Sequence, residues 1–128
     1  MAAVVELLPP TNTTSASWNQ ATDSVVDVSA YERGAIVVCV QKMTISSGTT
    51  SIKVMSGVDN VEGQYVTIAK KDYTVAPTPL PALIYFYLDG SSDGAADGTK
   101  SPGFARYLRL GVTQTGEITF SAKATLKP

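Results

Sequence analysis

The feature that most restricts the fold of this chain is a strict alternation of apolar and polar residues near its C-terminus. In GEITFSAKATL, residues 116–126, every second side chain is apolar and those between are polar or charged. Successive side chains of a β-strand point to opposite faces, so the pattern predicts a strand with one buried face. The residues on that face are Ile118, Phe120, Ala122, Ala124 and Leu126.

The same spacing occurs in the segment just before it, FARYLRLGVT, residues 104–113. Leu108, Leu110 and Val112 share one face, and Tyr107 and Arg109 share the other. Between the two segments stand Gln114, Thr115 and Gly116, which predict a tight hairpin turn with a positive φ at the glycine.

Five further strands are predicted upstream, separated by Gly, Pro, Ser and Asp residues. The nearly continuous apolar run at 34–43 predicts a central strand with both faces covered. The strand at 51–56 is predicted to bury Ile52 and Val54, whereas the prolines of 75–81 exclude a central strand there. The predicted strands are 23–29, 34–43, 51–56, 63–69 and 83–89.

These segments predict an all-β fold. No window shows a helical 3.6-residue period, and the 128 residues fit one domain. We expect a single β-sandwich, jelly-roll or immunoglobulin-like, of about seven or eight antiparallel strands. The sequence does not fix the strand order.

Residues 1–20 are predicted to form an N-terminal arm or first strand, and residues 21–128 the sandwich domain. AVVELLPPTNTTSAS joins an apolar strip to a polar tract. One alternative is a first strand of the sandwich with a long connection. The other is an arm that adds a strand to a neighbouring subunit through Val4, Val5, Leu7 and Leu8. Trp18, after the tract, is predicted to cover the core.

Composition argues against several classes of partner. The net charge is −1 and no basic stripe is present, so no nucleic-acid partner is expected. No segment approaches the roughly 18 apolar residues of a membrane span. We therefore expect no membrane partner and a soluble chain that is synthesised in the cytoplasm.

The chain is predicted not to be an enzyme. It has no histidine, which removes the commonest general base and a frequent metal ligand. No GxSxG or phosphate-binding glycine motif is present. The single cysteine, Cys39, lies in AIVVCV and is predicted to be a small buried residue. A catalytic carboxylate pair is the remaining alternative, and no cofactor is predicted.

A loop rich in aspartate and glycine, DGSSDGAADGTKSPG, spans residues 89–103. Asp89, Asp93 and Asp97 are weak candidates for a calcium site, because calcium takes oxygen ligands. Their spacing of four differs from the alternate positions of an EF-hand loop. Each Asp-Gly pair also favours a turn, so the main interpretation is a long connection that is either flexible or ordered by contact with a partner.

Aromatic residues indicate a possible interface. In LIYFYL, Tyr85 and Tyr87 alternate with apolar residues, and Tyr107 and Arg109 form a similar outward pair on the later strand. If the outward faces meet, these four residues make an aromatic-plus-arginine patch of the kind enriched at protein interfaces. Packing against a covering sheet or loop is the alternative.

Most of residues 22–126 resembles small β-sandwich structural proteins of tailed bacteriophages and prophages. A D-V-S-x-Y-x-x-G opening leads into an apolar strand, and an R-Y-L-R strand precedes a glycine turn and a final F-x-A strand. The matching residues are Asp27, Val28, Ser29, Tyr31, Gly34, Arg106, Tyr107, Leu108, Arg109, Val112, Thr113, Phe120 and Ala122.

The resemblance implies a non-enzymatic virion component. It would be a head decoration, or cement, protein that binds the major capsid protein lattice on the outside of the head, as a monomer or a homo-oligomer, with a trimer favoured. A tail accessory protein is a related possibility. A carbohydrate-binding or adhesion module on the same fold is the second hypothesis, which rests on the tyrosines and the possible calcium loop.

Overall fold

The alternating segments form nine strands, β1 to β9, in a computed structural model that describes residues 3–88 and 104–128. A single 3₁₀ turn at Thr22–Ser24 accompanies the strands in these ranges. The strand bounds are β1 Ala3–Thr13, β2 Ser17–Asn19, β3 Val26–Asp27, β4 Arg33–Thr44, β5 Thr50–Gly57, β6 Val66–Tyr73, β7 Ala82–Leu88, β8 Tyr107–Thr113 and β9 Glu117–Lys127.

Two antiparallel sheets pack face to face, which confirms the predicted all-β sandwich. The first sheet has the order β1-β9-β4-β7. The second has the order β2-β8-β5-β6, with β3 also paired to β8. The pairing is nested: the first strand pairs with the last, β2 and β3 with β8, β4 with β7, and β5 with β6. This nesting is the jelly-roll alternative of the two predicted sandwiches.

The core lies between the inner faces of the two sheets. The alternation places the predicted apolar residues of β5 and β9 inward, and Ile52 and Val54 are fully buried. Trp18 packs edge-to-face on Phe120, with ring centroids 5.6 Å apart, so it covers the core as predicted. The largest buried aliphatic side chains are Ile36, Ile52, Leu88, Leu108, Leu110, Ile118 and Leu126.

The predicted hairpin at Gly116 is wrong. Its two strands, β8 and β9, belong to different sheets, so residues 114–116 cross the sandwich. Positive φ occurs at Gly48 and Gly63 and not at Gly116. A Cβ on Gly116 would lie 2.0 Å from the Thr44 carbonyl oxygen, so glycine is needed here for close approach of two backbones.

Two predictions for the middle of the chain need correction. β4 is central, between β9 and β7, but Ala35, Val37 and Cys39 on its outer face are only half-buried. The prediction that both faces are covered, and that Cys39 is buried, is therefore wrong. Of the strand predicted at 23–29, Val26–Asp27 alone pairs in a sheet.

A buried glutamine joins the two sheets. The Gln20 side chain is 1% exposed, and its Nε2 donates to the Leu7 carbonyl oxygen at 2.7 Å and the Ser24 carbonyl oxygen at 3.2 Å. Its Oε1 accepts from the Leu110 N–H at 3.1 Å. Gln20 thus satisfies backbone groups of β1 in one sheet and of β8 in the other.

Candidate partner-binding face

The outer face of the first sheet exposes a row of large apolar side chains on its edge strand β7. Leu83, Tyr85 and Tyr87 are 55%, 53% and 60% exposed. They alternate with Ile84, Phe86 and Leu88, which fill the core. The period-two pattern therefore forces three bulky residues outward once the other three are buried.

The neighbouring strand extends this surface. Ala35, Val37 and Cys39 of β4 lie directly opposite the three β7 residues and are half-buried. The rings of Tyr85 and Tyr87 are nearly parallel, with centroids 6.5 Å apart and planes inclined by 13°. We call this surface the tyrosine face; it comprises Ala35, Val37, Cys39, Leu83, Tyr85 and Tyr87.

One end of the tyrosine face is basic. Arg33 on β4 lies directly opposite Lys127 on β9, and Lys123 lies four residues before Lys127, opposite Val37. Arg33 and Lys127, together with Tyr87, line an open pocket of about 310 Å³. Lys42, at the other end of β4, is paired with Glu117 at 2.9 Å. The Lys42 and Asn12 hydrogen bonds hold the pKa of the Glu117 carboxyl below its usual range.

The sheet edges differ in how they resist pairing with another strand. β1 carries Pro9, Pro10 and two register shifts, and β6 carries Lys70 and Lys71 and one shift. Prolines, lysines and bulges are the usual protection of an edge. β7, Ala82–Leu88, has none of these features within its seven residues. The β7 side of the first sheet is thus its least protected edge in the described ranges.

The predicted N-terminal contact residues divide between surface and core. Leu7 and Leu8 are buried in the chain's own core, so the prediction that they contact a partner is wrong. β1 pairs with β9 from Ala3 to Thr13, which agrees with the first-strand alternative and not with a detached arm. Val5 packs partly against the core, and Val4 is 75% exposed opposite Thr125.

The predicted patch of Tyr85, Tyr87, Tyr107 and Arg109 does not form. Tyr85 and Tyr87 lie on the outer face of the first sheet, whereas Tyr107 and Arg109 lie on the outer side of the second. Arg109 is also 2% exposed, so it is not an outward contact residue. Of the four residues predicted to form the patch, Tyr85 and Tyr87 on β7 are the two that lie together on an exposed face.

Arg109 anchors a loop over the second sheet. Its Nη2 donates to Glu62 Oε2 at 2.5 Å and its Nη1 to the Gln20 carbonyl oxygen at 3.3 Å. The guanidinium lies 4.3 Å from the centroid of the Tyr65 ring. Burial raises the pKa of the Tyr65 phenol. A cation held between a carboxylate and an aromatic ring fixes the loop between β5 and β6 against β8.

Acid should loosen this loop before the sandwich unfolds. The Arg109 hydrogen bond lowers the pKa of Glu62 from the ordinary 4.5, and the carboxylate is largely solvent-exposed. A carboxyl group whose pKa is lower in the folded than in the unfolded protein stabilises the fold at pH values above its unfolded pKa. That stabilisation is lost as the pH falls through the folded-state pKa. We expect the protection of the amides in residues 58–65, measured against the intrinsic exchange rate at each pH, to fall below about pH 4.5. Glu62→Gln should exchange faster at neutral pH and lose this acid step; an unchanged acid step in that variant would contradict the assignment.

The motifs behind the phage resemblance have structural roles. Asp27 Oδ1 accepts from the Ser29 N–H at 2.9 Å, and Asp27 Oδ2 pairs with Arg106 at 2.9 Å. The Ser29 and Arg106 hydrogen bonds lower the pKa of Asp27. A Cβ on Gly34 would lie 2.3 Å from the Thr125 carbonyl oxygen. These residues join β3 to β8 and β4 to β9, so their role in the described structure is to hold strands together.

The candidate calcium ligands Asp89, Asp93 and Asp97 lie outside the described residues. Within 3–88 and 104–128, no three His, Cys, Asp or Glu side chains group closely enough to hold a metal ion. Among those same residues there is also no helix long and apolar enough to cross a membrane.

Comparison of the chain with models of protein families, with curated proteins and with solved structures found no match.

Proposed function

We propose that this chain is a non-enzymatic phage virion protein, most specifically a head decoration protein that binds the outer surface of the capsid. The observation that carries the proposal is the exposed tyrosine face on the first sheet. Tyrosine and aliphatic side chains that lie together on a rigid surface are typical of the centre of a protein–protein interface. The resemblance of residues 22–126 to phage β-sandwich proteins supplies the partner, the major capsid protein lattice.

The fold agrees with this role. Jelly rolls occur in viral capsid proteins and in lectins, although the fold alone does not determine function. In the proposed complex the outer face of the first sheet lies on the shell and the second sheet faces away. A trimer on the capsomer is favoured over a monomer. The least protected edge of the first sheet, β7, lies at the margin of the docked face.

Co-sedimentation with capsid shells of the encoding phage tests this proposal. Wild-type protein should pellet with assembled shells and bind free capsid subunits weakly. Tyr85→Ser should weaken shell binding about 30-fold, because truncation of a central interface tyrosine typically costs about 2 kcal/mol. Val66→Ser is the matched control, since Val66 is an exposed apolar residue on the second sheet.

Two results would contradict the proposal. Wild-type protein that stays in the supernatant at all shell concentrations would remove the capsid as partner. If Tyr85→Ser and Val66→Ser weakened shell binding equally, the tyrosine face would not be the contact surface. Unfolding curves of both variants should overlay the wild-type curve, because exposed side chains contribute little to stability.

A carbohydrate-binding or adhesion module is the second candidate. Tyr85 and Tyr87 are exposed on the outer face of the first sheet, and an exposed aromatic ring is a surface on which a sugar ring can stack. This candidate predicts retention on a polysaccharide column that Tyr85→Ser abolishes, together with no binding to shells. A glycan array without hits for the wild-type protein would dispose of it.

A further inference from the structure

Two positively charged side chains lie on directly opposite strand positions at one end of the tyrosine face. Arg33 on β4 and Lys127 on β9 are register partners, and both side chains are exposed. Like charges at directly opposed strand positions destabilise a sheet. Neither cation forms an ion pair within the part of the chain that the structure describes. An anion bound between them would relieve the repulsion.

Of the carboxylates in residues 3–88 and 104–128, those nearest in strand position do not neutralise the pair. Glu32 precedes Arg33, but its side chain forms no ion pair with either cation in the described ranges. Glu6 lies on β1 opposite Lys123, and Glu117 is engaged by Lys42 at the far end of the sheet. The described part of this corner is therefore positively charged although the whole chain carries a net charge of −1.

The pocket between the two cations has mixed chemistry. Its volume is about 310 Å³, and it is lined by Arg33, Gly34, Ala35, Tyr87, Thr125 and Lys127. Arg33 offers a planar fork of donors that matches a carboxylate, and Lys127 offers a point charge. Thr125 adds a hydroxyl group, whereas the Tyr87 ring and the Ala35 methyl group supply an apolar wall. This combination suits a carboxylate that is attached to an apolar body.

We propose that this pocket is a subsite for a carboxylate side chain of the protein partner, seated beside the tyrosine face. The inference rests on the proposed function for the identity of the partner, and on the pocket itself for the ligand chemistry. The tyrosine face supplies apolar contact area, and the Arg33–Lys127 pair selects an acidic residue at one fixed distance from it. Charge complementarity of this kind sets the orientation of docking and raises the rate of association.

Benzoate is the probe for the pocket, because it joins a carboxylate to a flat apolar ring. In NMR titrations of the full chain, benzoate should shift the amide signals of residues 33–35 and 125–127 and leave those of the second sheet unchanged. Benzamide has the same shape without the charge and should cause no saturating shifts. The absence of benzoate shifts, or equal shifts from benzamide, would overturn the anion site.

Arg33→Gln provides a signature that a merely structural residue would not give. It should abolish the benzoate shifts and yet raise the melting temperature of the free protein by about 1–3 °C in low salt, because it removes the like-charge contact. Lys53→Gln, on the second sheet, removes one positive charge elsewhere and should leave benzoate binding unchanged. A lower melting temperature for Arg33→Gln would overturn the account of the pair.

Shell binding separates this inference from the proposed function. Arg33→Gln/Lys127→Gln should weaken co-sedimentation with shells at least tenfold, and the loss should shrink as salt rises. If wild-type protein binds shells and the double variant binds equally well, the subsite is wrong while the proposed function stands. If benzoate binds but wild-type protein ignores shells, the proposed function is wrong. Saturating shifts from glucuronate that exceed those from benzoate would assign the pocket to acidic sugars and overturn the protein partner.

Discussion

Deletion of residues 1–10 is expected to leave a chain that no longer folds into the sandwich. The deletion removes most of β1, including the buried side chains of Leu7 and Leu8. Burial of each leucine contributes about 1.5–3 kcal/mol, and the lost pairing with β9 adds to this. A domain of this size has about 5–15 kcal/mol of stability in total. Loss of the cooperative thermal transition in circular dichroism is the expected result.

The deletion should also promote association. β1 is the edge of the first sheet, and its deleted part pairs with β9 from Ala122 to Leu126, so the deletion leaves the backbone of that part of β9 without a partner strand. β9 is a long alternating strand, and an unprotected edge of this kind pairs readily with other chains. Size-exclusion chromatography should therefore show soluble aggregates or loss of the monomer peak.

A detached arm would behave differently. In that case the truncated chain would melt as the wild type does and lose only its binding to a partner, and this outcome would contradict the structural role of β1. Val4→Ser is the control within the same strand. Because Val4 is 75% exposed, its substitution should change the free energy of unfolding by less than about 0.5 kcal/mol.

Of the N-terminal predictions, the first-strand alternative agrees with the structure, and the assignment of Leu7 and Leu8 as partner contacts is wrong. A register shift between Glu6 and Leu8 marks a bulge in the pairing with β9. At a bulge two consecutive residues oppose one partner residue, so strict alternation is interrupted. Leu7 and Leu8 are both buried as a result. A period-two pattern cannot indicate such a pair, because it assigns neighbours to opposite faces.

The strands were predictable from the sequence because each half-buried strand carries its own alternation, as Ile118 to Leu126 do in β9. The order of the strands was not, since nested pairing joins segments that lie far apart in the chain. Gly116 shows the limit at a single residue. A glycine after a polar pair fits a positive-φ turn equally well, and only the approach of Thr44 explains its presence.

Alternation along the strands also made part of the candidate site predictable from the sequence. The outward direction of Tyr85 and Tyr87 follows from alternation, and both are exposed. Arg109 was also assigned to an outer face correctly, but the loop between β5 and β6 covers it through Glu62 and Tyr65. No local pattern in the sequence indicates that a loop 47 residues away folds over an arginine. The basic pair at the end of the tyrosine face likewise depends on the register of β4 with β9.

The substitution Gln20→Leu is expected to destabilise the protein by about 3–5 kcal/mol although it replaces a polar side chain with an apolar one of similar size. The Leu110 N–H and the Leu7 carbonyl group both rely on the Gln20 amide and are buried. A buried backbone group that loses its partner costs about 1–3 kcal/mol, because it gave up hydration on folding. The partly buried Ser24 carbonyl group loses a weaker contact.

Urea unfolding, followed by the fluorescence of Trp18, measures this cost. Gln20→Leu should lower the midpoint without changing the slope, since the surface exposed on unfolding stays similar. Gln41→Leu is the matched control: it makes the same chemical change at an exposed position of β4 and should shift stability by less than about 0.5 kcal/mol. A cost below about 1 kcal/mol for Gln20→Leu would contradict the role of the amide. A loss in the expected range would show that the two sheets are joined by one buried side chain as well as by their shared apolar core.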